Sequence, residues 1–220
     1  VRRALVTFAV GSHTPLLEHA LPAMERYADW HGYDLVTAPP RMILRPASWH
    51  KITCVLHALD THQEVLWVDA DVLILDDTRD LADEVDDGAW QAITRHHTRE
   101  GEVPSVGVWY VRRPMRPWIE KAWTLTRYLH HRWWEQAAFL QLLGYRADPP
   151  PCRLIQPTEL YLNTHWLGEE WNALHLQYPP DDTDEPAISP RFVHVGPGSP
   201  VEWRVETMRE LAALAPMKGA

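Results

Sequence analysis

An α/β fold, with a central sheet covered by helices on both faces, follows from three features of the sequence. Apolar, β-branched segments alternate along the chain with segments of helical period. The strand-like segments are almost continuously apolar, the pattern of strands buried on both faces. No internal repeat and no shift in composition divides the 220 residues. Residues 1–220 therefore read as a single domain, long enough to enclose a sizeable core.

The first strand is expected over residues 5–10, where an apolar run stops at Gly11-Ser12. Leu17, Leu21, Met24 and Tyr27 or Ala28 then recur at helical spacing. They give a helix over 16–31, with Gly32 where a C-terminal cap falls. "YDLVTA" is a short second strand, and Pro39-Pro40 opens a loop. Ser48 is placed to cap a helix reaching about Leu59, with Ile52, Val55, Leu56 and Leu59 facing inward. "VLWVDADVLIL", residues 65–75, is a buried strand, and the acidic stretch 76–87 is a loop with a short solvated helix. "WQAIT" and "SVGVWYVRR" are further strands, the second ended by Pro114. A long helix covers 115–131 and another covers about 133–143. Residues 153–166 are irregular, with one or two short strands. "PPDDTDEPAISP" reads as a mobile surface loop. "RFVHVG" is a last strand, and 202–214 a closing helix.

The formal charge of -9 weighs against general affinity for nucleic acid or an anionic membrane, while leaving room for a local basic pocket for a phosphate. No apolar run is long enough for a transmembrane segment, and the opening "VRRALVTFAVGSHTP" is interrupted too soon for a signal peptide. Cys54 and Cys152 are the only cysteines, which argues against a disulfide scaffold and suits a reducing, cytoplasmic setting, although two cysteines can pair. Twelve tryptophans is a high count, and flat indole faces suit sugar rings, yet core packing is their default use.

Asp69 and Asp71 stand in the middle of an apolar run, where a buried charge is costly. At i and i+2 on an extended chain, both side chains leave the same face. Two such carboxylates repel unless a cation or proton neutralises them. A divalent metal does so naturally, and carboxylates suit hard ions such as Mg²⁺ or Mn²⁺, which also bind phosphate oxygens. The plainer alternative is a strand end where the acids enter solvent. It fits poorly, because "VLWV" precedes the pair and "VLIL" follows it.

The stretch "SWHKITCVLHALDTHQEVLWVDADVLIL" resembles the central block of the family thirty-four retaining glycosyltransferases, which include xyloglucan xylosyltransferases and α-galactosyl- and α-mannosyltransferases. Trp49 and Lys51 match that family's Trp-X-Lys, and Asp69 and Asp71 its Asp-X-Asp. The resemblance extends over about residues 4–205, through "YADWHGYDLV", "SVGVWYVRRPMRPWIEKAW", "WWEQAAFLQLL", "LYLNTHW" and "RFVHVGPGS". Ser105 stands where the family has Asn, and the glycine after His194 comes one residue early.

The resemblance implies a GT-A fold, the Rossmann-like architecture of nucleotide-diphospho-sugar transferases, with a mixed, mainly parallel sheet flanked by helices. It implies a metal-dependent, retaining glycosyltransferase that moves a hexose or pentose from a nucleotide-sugar donor, first of all a UDP-sugar. The acceptor is a hydroxyl of a small molecule, a glycan or a lipid-linked glycan. Asp71 is then the main metal ligand, and Asp69 touches the metal, directly or through water, and the ribose. His194 is the choice for a third ligand, although a lone His in an apolar strand is more often a satisfied core imidazole. An imidazole ligand favours Mn²⁺ modestly over Mg²⁺. Gly196, in the turn after His194, lets backbone approach phosphate closely.

Lys51 points toward donor phosphates on this reading, or is a solvated surface lysine on the plain one. Backbone of Phe8, Ala9 and Val10 meets the base at the carboxyl end of a strand. His13 faces the diphosphate or is an ordinary loop histidine. Asn163 fits a hydrogen bond to donor or acceptor hydroxyls, and Trp166 and Trp171 are candidate acceptor platforms. Glu135 and Gln136 bear on stereochemistry. A carboxylate nucleophile would give a covalent intermediate. Front-face attack instead leaves Gln136 near the anomeric carbon and Glu135 on sugar hydroxyls, and is the favoured reading. The plain alternative is two polar residues opening a helix. The adjacent pairs His96-His97 and His130-His131 lack metal spacing, and Cys54 and His57 lack further ligands. Competing functions are a nucleotidyltransferase, for which "VGSHTPLLEHA" lacks glycines and arginines, and a non-catalytic nucleotide-sugar-binding domain.

Overall fold

The computed structural model describes residues 1–37, 44–176 and 189–214. The loop expected at Pro39-Pro40 and most of the one expected at 179–190 lie outside the described residues. In chain order the elements are β1 (Arg3–Thr7), α1 (Thr14–His31), β2 (Tyr33–Thr37), α2 (His50–Ala58), β3 (Glu64–Val68), β4 (Val72–Ile74), β5 (Gln91–Thr98) and β6 (Gly101–Arg112). There follow α3 (Arg116–Thr124), α4 (Trp134–Leu143), β7 (Tyr145–Arg146), β8 (Arg153–Leu154), α5 (Glu159–Leu162), β9 (Thr164–Leu167), β10 (Ala173–His175), β11 (Phe192–Val195) and α6 (Val201–Leu214).

Six strands form the main sheet in the order β2-β1-β3-β6-β5-β9. β1 lies parallel to both β2 and β3, and β9 parallel to β5, while β6 runs against both of its neighbours. The sheet is therefore mixed and mainly parallel. A three-stranded sheet, β10-β11-β4, lies beside it, and β7 and β8 make a small hairpin-like pair. One core layer joins the sheet to α2, α3 and α4 through Trp49, Ile52, Val55, Ile119 and Phe139. The other joins it to α1, α6 and the small sheet through Leu16, Met24, Tyr27, Met208 and Phe192. Helices thus cover both faces, which is why the parallel strands are apolar on each side.

Asp80 is buried among these elements, not solvated as expected for its acidic stretch. Its carboxylate accepts from Arg3 at 2.5 Å, Tyr33 at 2.7 Å and Tyr27 at 3.2 Å, tying β1, β2 and α1 to one point. Burial first, then the neighbouring tyrosine and the Asp80 charge, push the Tyr33 phenol far above its ordinary range.

Four further expectations are corrected. The run 65–75 is not one strand: β3 belongs to the main sheet and β4 to the small one, with Asp69 to Asp71 in the break. The chain leaves one buried sheet and enters another, so hydrophobicity stays high across a real discontinuity. Ser48 does not cap α2. It lies in a 3₁₀ turn, Ala47–Trp49, that leads into the helix without any side-chain cap. The first strand stops at Thr7, leaving Phe8 to Val10 beyond its carboxyl end. The helix expected over 115–131 ends at Thr124, where the Arg45 guanidinium donates to the Trp123 carbonyl at 2.7 Å and a short 3₁₀ turn follows. Cys54 and Cys152 are both buried and are not joined as a disulfide.

Candidate active site

Asp69 closes the carboxyl end of β3, the usual ligand side of an α/β sheet. Its backbone N–H donates to the Gly107 carbonyl at 2.8 Å, completing the β3–β6 pairing. A tight turn follows, in which the Val72 N–H bonds the Asp69 carbonyl at 3.0 Å. Asp71 then joins the small sheet: its carbonyl accepts from Val195 at 2.8 Å, which brings β11 alongside. His194, on β11, is thereby carried to both acids. Ligand atoms of Asp69, Asp71 and His194 all lie within 4.8 Å of one another. The convergence comes from a turn between two sheets, and not from one face of a single extended strand.

The acids are neutralised by cations of the chain itself. The Lys51 ammonium is 3.0 Å from Asp69 Oδ1 and 3.2 Å from Glu135 Oε1, and donates to the Val106 carbonyl at 3.0 Å. An ammonium has three N–H donors, and these three acceptors account for them. Lys51 is buried and acts as a tether between Asp69 and Glu135, so it is not the solvated surface lysine of the plain reading. Trp67 Nε1 also donates to Asp69 Oδ1 at 2.6 Å, so that oxygen is held from two sides. Asp71 Oδ2 lies 3.3 Å from His194 Nε2 and pairs closely with the Arg204 guanidinium.

Burial alone would raise the Asp71 carboxyl pKa, but His194 and then Arg204 outweigh it and hold it well below the carboxylate range. His194 shows the reverse: burial works to lower it, while Asp71 first and Asp69 next raise it above its ordinary value. Glu135 is pushed up by burial, against the pull of Lys51.

The cluster suits a divalent metal on two counts. Among the described residues, His194 Nδ1 is buried with no hydrogen-bond partner, as is Glu135 Oε2. Gly107 supplies the second. A Cβ there would lie 2.7 Å from the His194 ring and 3.3 Å from Asp69 Oδ2, so only glycine leaves room between the candidate ligands. Two carboxylates and one imidazole form a mixed oxygen and nitrogen set, and three protein ligands leave positions for phosphate oxygens.

The other sequence candidates fall in different places. Phe8 and Ala9 are half-buried at the carboxyl end of β1, and the Phe8 ring stacks on His50 at 5.3 Å. Val10 is exposed. Gly196 has φ +52° and is packed so that a Cβ would come within 2.4 Å of the Trp203 ring. Its turn closes through the Ser199 N–H and the Gly196 carbonyl at 2.7 Å. His13 Nε2 sits 3.4 Å from Arg204. Burial and then the Arg204 charge lower its pKa, so it faces the guanidinium as a neutral ring. Gln136 is half-buried, one residue beyond Glu135 in α4.

Asn163 is not brought to the cluster. Its side chain donates to the Glu159 carbonyl at 2.8 Å, finishing α5, and β9 after it begins opposite Gln91, level with Val111 and Val65 and so toward the end of β3 away from Asp69. Trp171 is 2% exposed and packs on Phe192, so it is core and not an acceptor platform. Trp166 is half-buried, with the Arg95 guanidinium 4.4 Å from its ring.

Several contributors had no separate signal in the sequence. Arg204 lies in an ordinary-looking helix. Gly107 lay in view within "SVGVWYVRR", but its role depends on what faces it. Asn172 is fully buried and donates to Ser105 Oγ at 3.0 Å, so an asparagine amide reaches the Ser105 position from another part of the chain. His96 is buried too. Burial, then the charges of His194 and His97, lower its pKa to about 4, so it stays a neutral imidazole beside the cluster.

No family model matches the chain, and no curated protein matches its sequence. Solved structures do. A glycosyltransferase involved in glycosylation of the major capsid of PBCV-1 superposes with a TM-score of 0.67 at 13% identity, covering 94% of this chain and 99% of that one. The galactosyltransferase LgtC, solved with donor and acceptor sugar analogues, gives 0.58 at 12% identity over 98% and 97%. Mouse xyloside xylosyltransferase 1 gives 0.53 at 12% identity over 91% and 99%. The chain has the GT-A-like fold of these glycosyltransferases, a mixed sheet flanked by helices. The likeness is one of fold, and membership of family thirty-four is not established by it.

Proposed function

We propose that the chain is a metal-dependent glycosyltransferase that uses a nucleotide diphosphate sugar, a UDP-sugar first, and a hydroxyl acceptor. One observation carries the reading: Asp69, Asp71 and His194 converge at the carboxyl end of the central strand, around a glycine that keeps their shared space open. Breaking a sugar–phosphate bond leaves negative charge on the departing phosphate. A divalent ion held by these three residues would stabilise that charge and orient the diphosphate.

The protein's own groups do the rest. The Gly196 turn offers backbone close to the diphosphate, and Phe8 to Val10 border the position of the base. Lys51 holds Asp69 and Glu135 in register, so metal ligand and sugar-side carboxylate are positioned together. Glu135, with Oε2 unpartnered among the described residues, is suited to accept from sugar hydroxyls. Gln136 stabilises developing positive charge near the anomeric carbon without becoming a nucleophile. On this reading the transfer is retaining and occurs by front-face attack.

Incubation with Mn²⁺ and a panel of nucleotide sugars tests the reading. Slow release of nucleoside diphosphate is the expected result, with the α-anomer retained by NMR for an α-linked donor. Pyrophosphate release would favour a nucleotidyltransferase, and failure to bind any nucleotide would leave a non-catalytic domain. Gln136→Ala should lower turnover by about tenfold or more while leaving donor affinity nearly unchanged. A fall in melting temperature without that kinetic effect would give Gln136 a structural role only.

A further inference from the structure

We propose that Arg204 is a diphosphate-binding residue that exchanges partners, neutralising Asp71 in the metal-free site and turning to the donor's phosphates when a metal takes Asp71. The inference rests on the glycosyltransferase reading above and assigns a residue to the donor site.

Three cations touch the acid cluster among the described residues: Lys51, His194 and Arg204. Lys51 has its N–H groups taken by Asp69, Glu135 and the Val106 carbonyl. His194 is a candidate ligand, and a ligand imidazole carries no charge to offer a phosphate. Arg204 differs from both. It is 6% exposed, bonds Asp71 Oδ2 through one terminal nitrogen, and donates from Nε to the Val195 carbonyl at 3.2 Å. Its other terminal nitrogen is 3.4 Å from the His13 ring, a weak contact. A guanidinium has five N–H donors in a planar fork, so these contacts leave it able to take phosphate oxygens as well.

Its position fits that role. Arg204 is in the first turn of α6, directly after the Gly196-to-Ser199 turn, and its own N–H bonds the Pro200 carbonyl at 3.1 Å. Backbone able to approach phosphate and a fork able to grip it therefore come from one short segment. The Val195 contact anchors Nε to the strand that carries His194, leaving the terminal nitrogens as the part that moves.

Charge supplies the driving force. Arg204 and a metal ion compete for the same oxygen of Asp71. When the metal takes it, a buried guanidinium loses its counterion, a costly state unless another anion arrives. A nucleoside diphosphate on the metal is that anion, and an arginine fork matches phosphate geometry in a way an ammonium does not. Metal and nucleotide then favour each other through Arg204, and the coupling is reciprocal.

The test uses Arg204→Gln and Arg204→Lys, with Mn²⁺ alone followed by electron paramagnetic resonance and UDP or GDP followed by calorimetry at saturating Mn²⁺. Arg204→Gln should bind Mn²⁺ alone about threefold to tenfold more tightly, because the competing cation is gone. The same variant should bind nucleoside diphosphate about tenfold or more weakly. Arg204→Lys should keep most of the competition and fall between the two in nucleotide affinity. The opposite signs matter, since a residue that only braces α6 would shift both affinities the same way. Wild-type binding of both, with the Arg204→Gln affinities unchanged or weakened together, overturns the role given to Arg204 and leaves the enzyme reading standing. No Mn²⁺-dependent nucleotide binding by the wild type would sink the glycosyltransferase reading itself, and this inference with it.

Discussion

At Gly107 the constraint is space. A methyl group there would press on the His194 ring at 2.7 Å, and His194 is fixed on β11, paired on both sides by β10 and β4. Gly107→Ala should weaken Mn²⁺ affinity by about tenfold to a hundredfold, the range for a disturbed ligand shell, with little change in the unfolding midpoint without metal. Full Mn²⁺ affinity in that variant would show that the cluster does not hold the ion where the glycine faces it. His194 and Asp71 set a pH dependence of opposite sign for stability and for binding. A raised His194 contributes stability that is complete below its ordinary 6.5 and lost as pH rises through its folded value. A depressed Asp71 contributes stability present above its ordinary 3.8 and lost as pH falls through its folded value. The metal-free pair is therefore most stabilising between the two ordinary values, 3.8 and 6.5, and loses that contribution beyond them through the folded value on either side. A metal needs the neutral imidazole, so apparent Mn²⁺ affinity should rise with pH, by up to tenfold per unit, until it passes the raised His194 value. A flat profile between pH 6 and 8 would exclude His194 as a ligand.

Among the elements, β1, β2 and α1 frame the Phe8–Val10 segment at the carboxyl end of β1, and one buried carboxylate fastens them. Asp80 accepts from Arg3, Tyr27 and Tyr33 and also caps the short 3₁₀ turn after it through the Ala82 N–H at 3.1 Å. Asp80→Ala should cost about 3 kcal/mol in chemical denaturation, because it removes the shared acceptor of Arg3 and of two buried tyrosine hydroxyls at once, leaving Arg3 the His31 carbonyl and Tyr27 the Leu81 N–H. A loss below about 1 kcal/mol would mean that water replaces the carboxylate. The elements also show where local pattern was enough and where it was not. The helical spacing before Gly32 marked α1 well, and Gly32 does end it at φ +71°. The break between β3 and β4 carried no such mark, because both halves are buried and apolar. α3 stops short of its periodic pattern where Leu125 leaves helical geometry, and Arg45, far away in the chain, takes the Trp123 carbonyl in its last turn.

For the whole molecule, the candidate metal centre joins the main sheet to the small one: Asp69 ends β3, Asp71 leads into β4, and His194 lies on β11. Ligand binding there should stabilise both sheets together. Mn²⁺ with UDP, each at about a hundred times its dissociation constant, should raise the melting temperature by about 5–10 °C, and Mn²⁺ alone by less. Asp71→Asn should fold, yet show no such rise and no metal-dependent nucleotide binding. An equal rise in that variant would remove Asp71 from the site.

The sequence alone carried the order of helices and strands, the α/β class and the anomaly of two aspartates in an apolar run, because period and hydrophobicity are properties of neighbours along the chain. It also placed His194 beside a glycine turn. Tertiary structure supplied the partners. Lys51 meets Asp69 across 18 residues and Arg204 meets Asp71 across 133. Gly107 faces His194 only because β6 and β11 flank the same break in the chain. Such meetings depend on strand order and register, and a charge's counterion is chosen by distance in space, which no local pattern encodes.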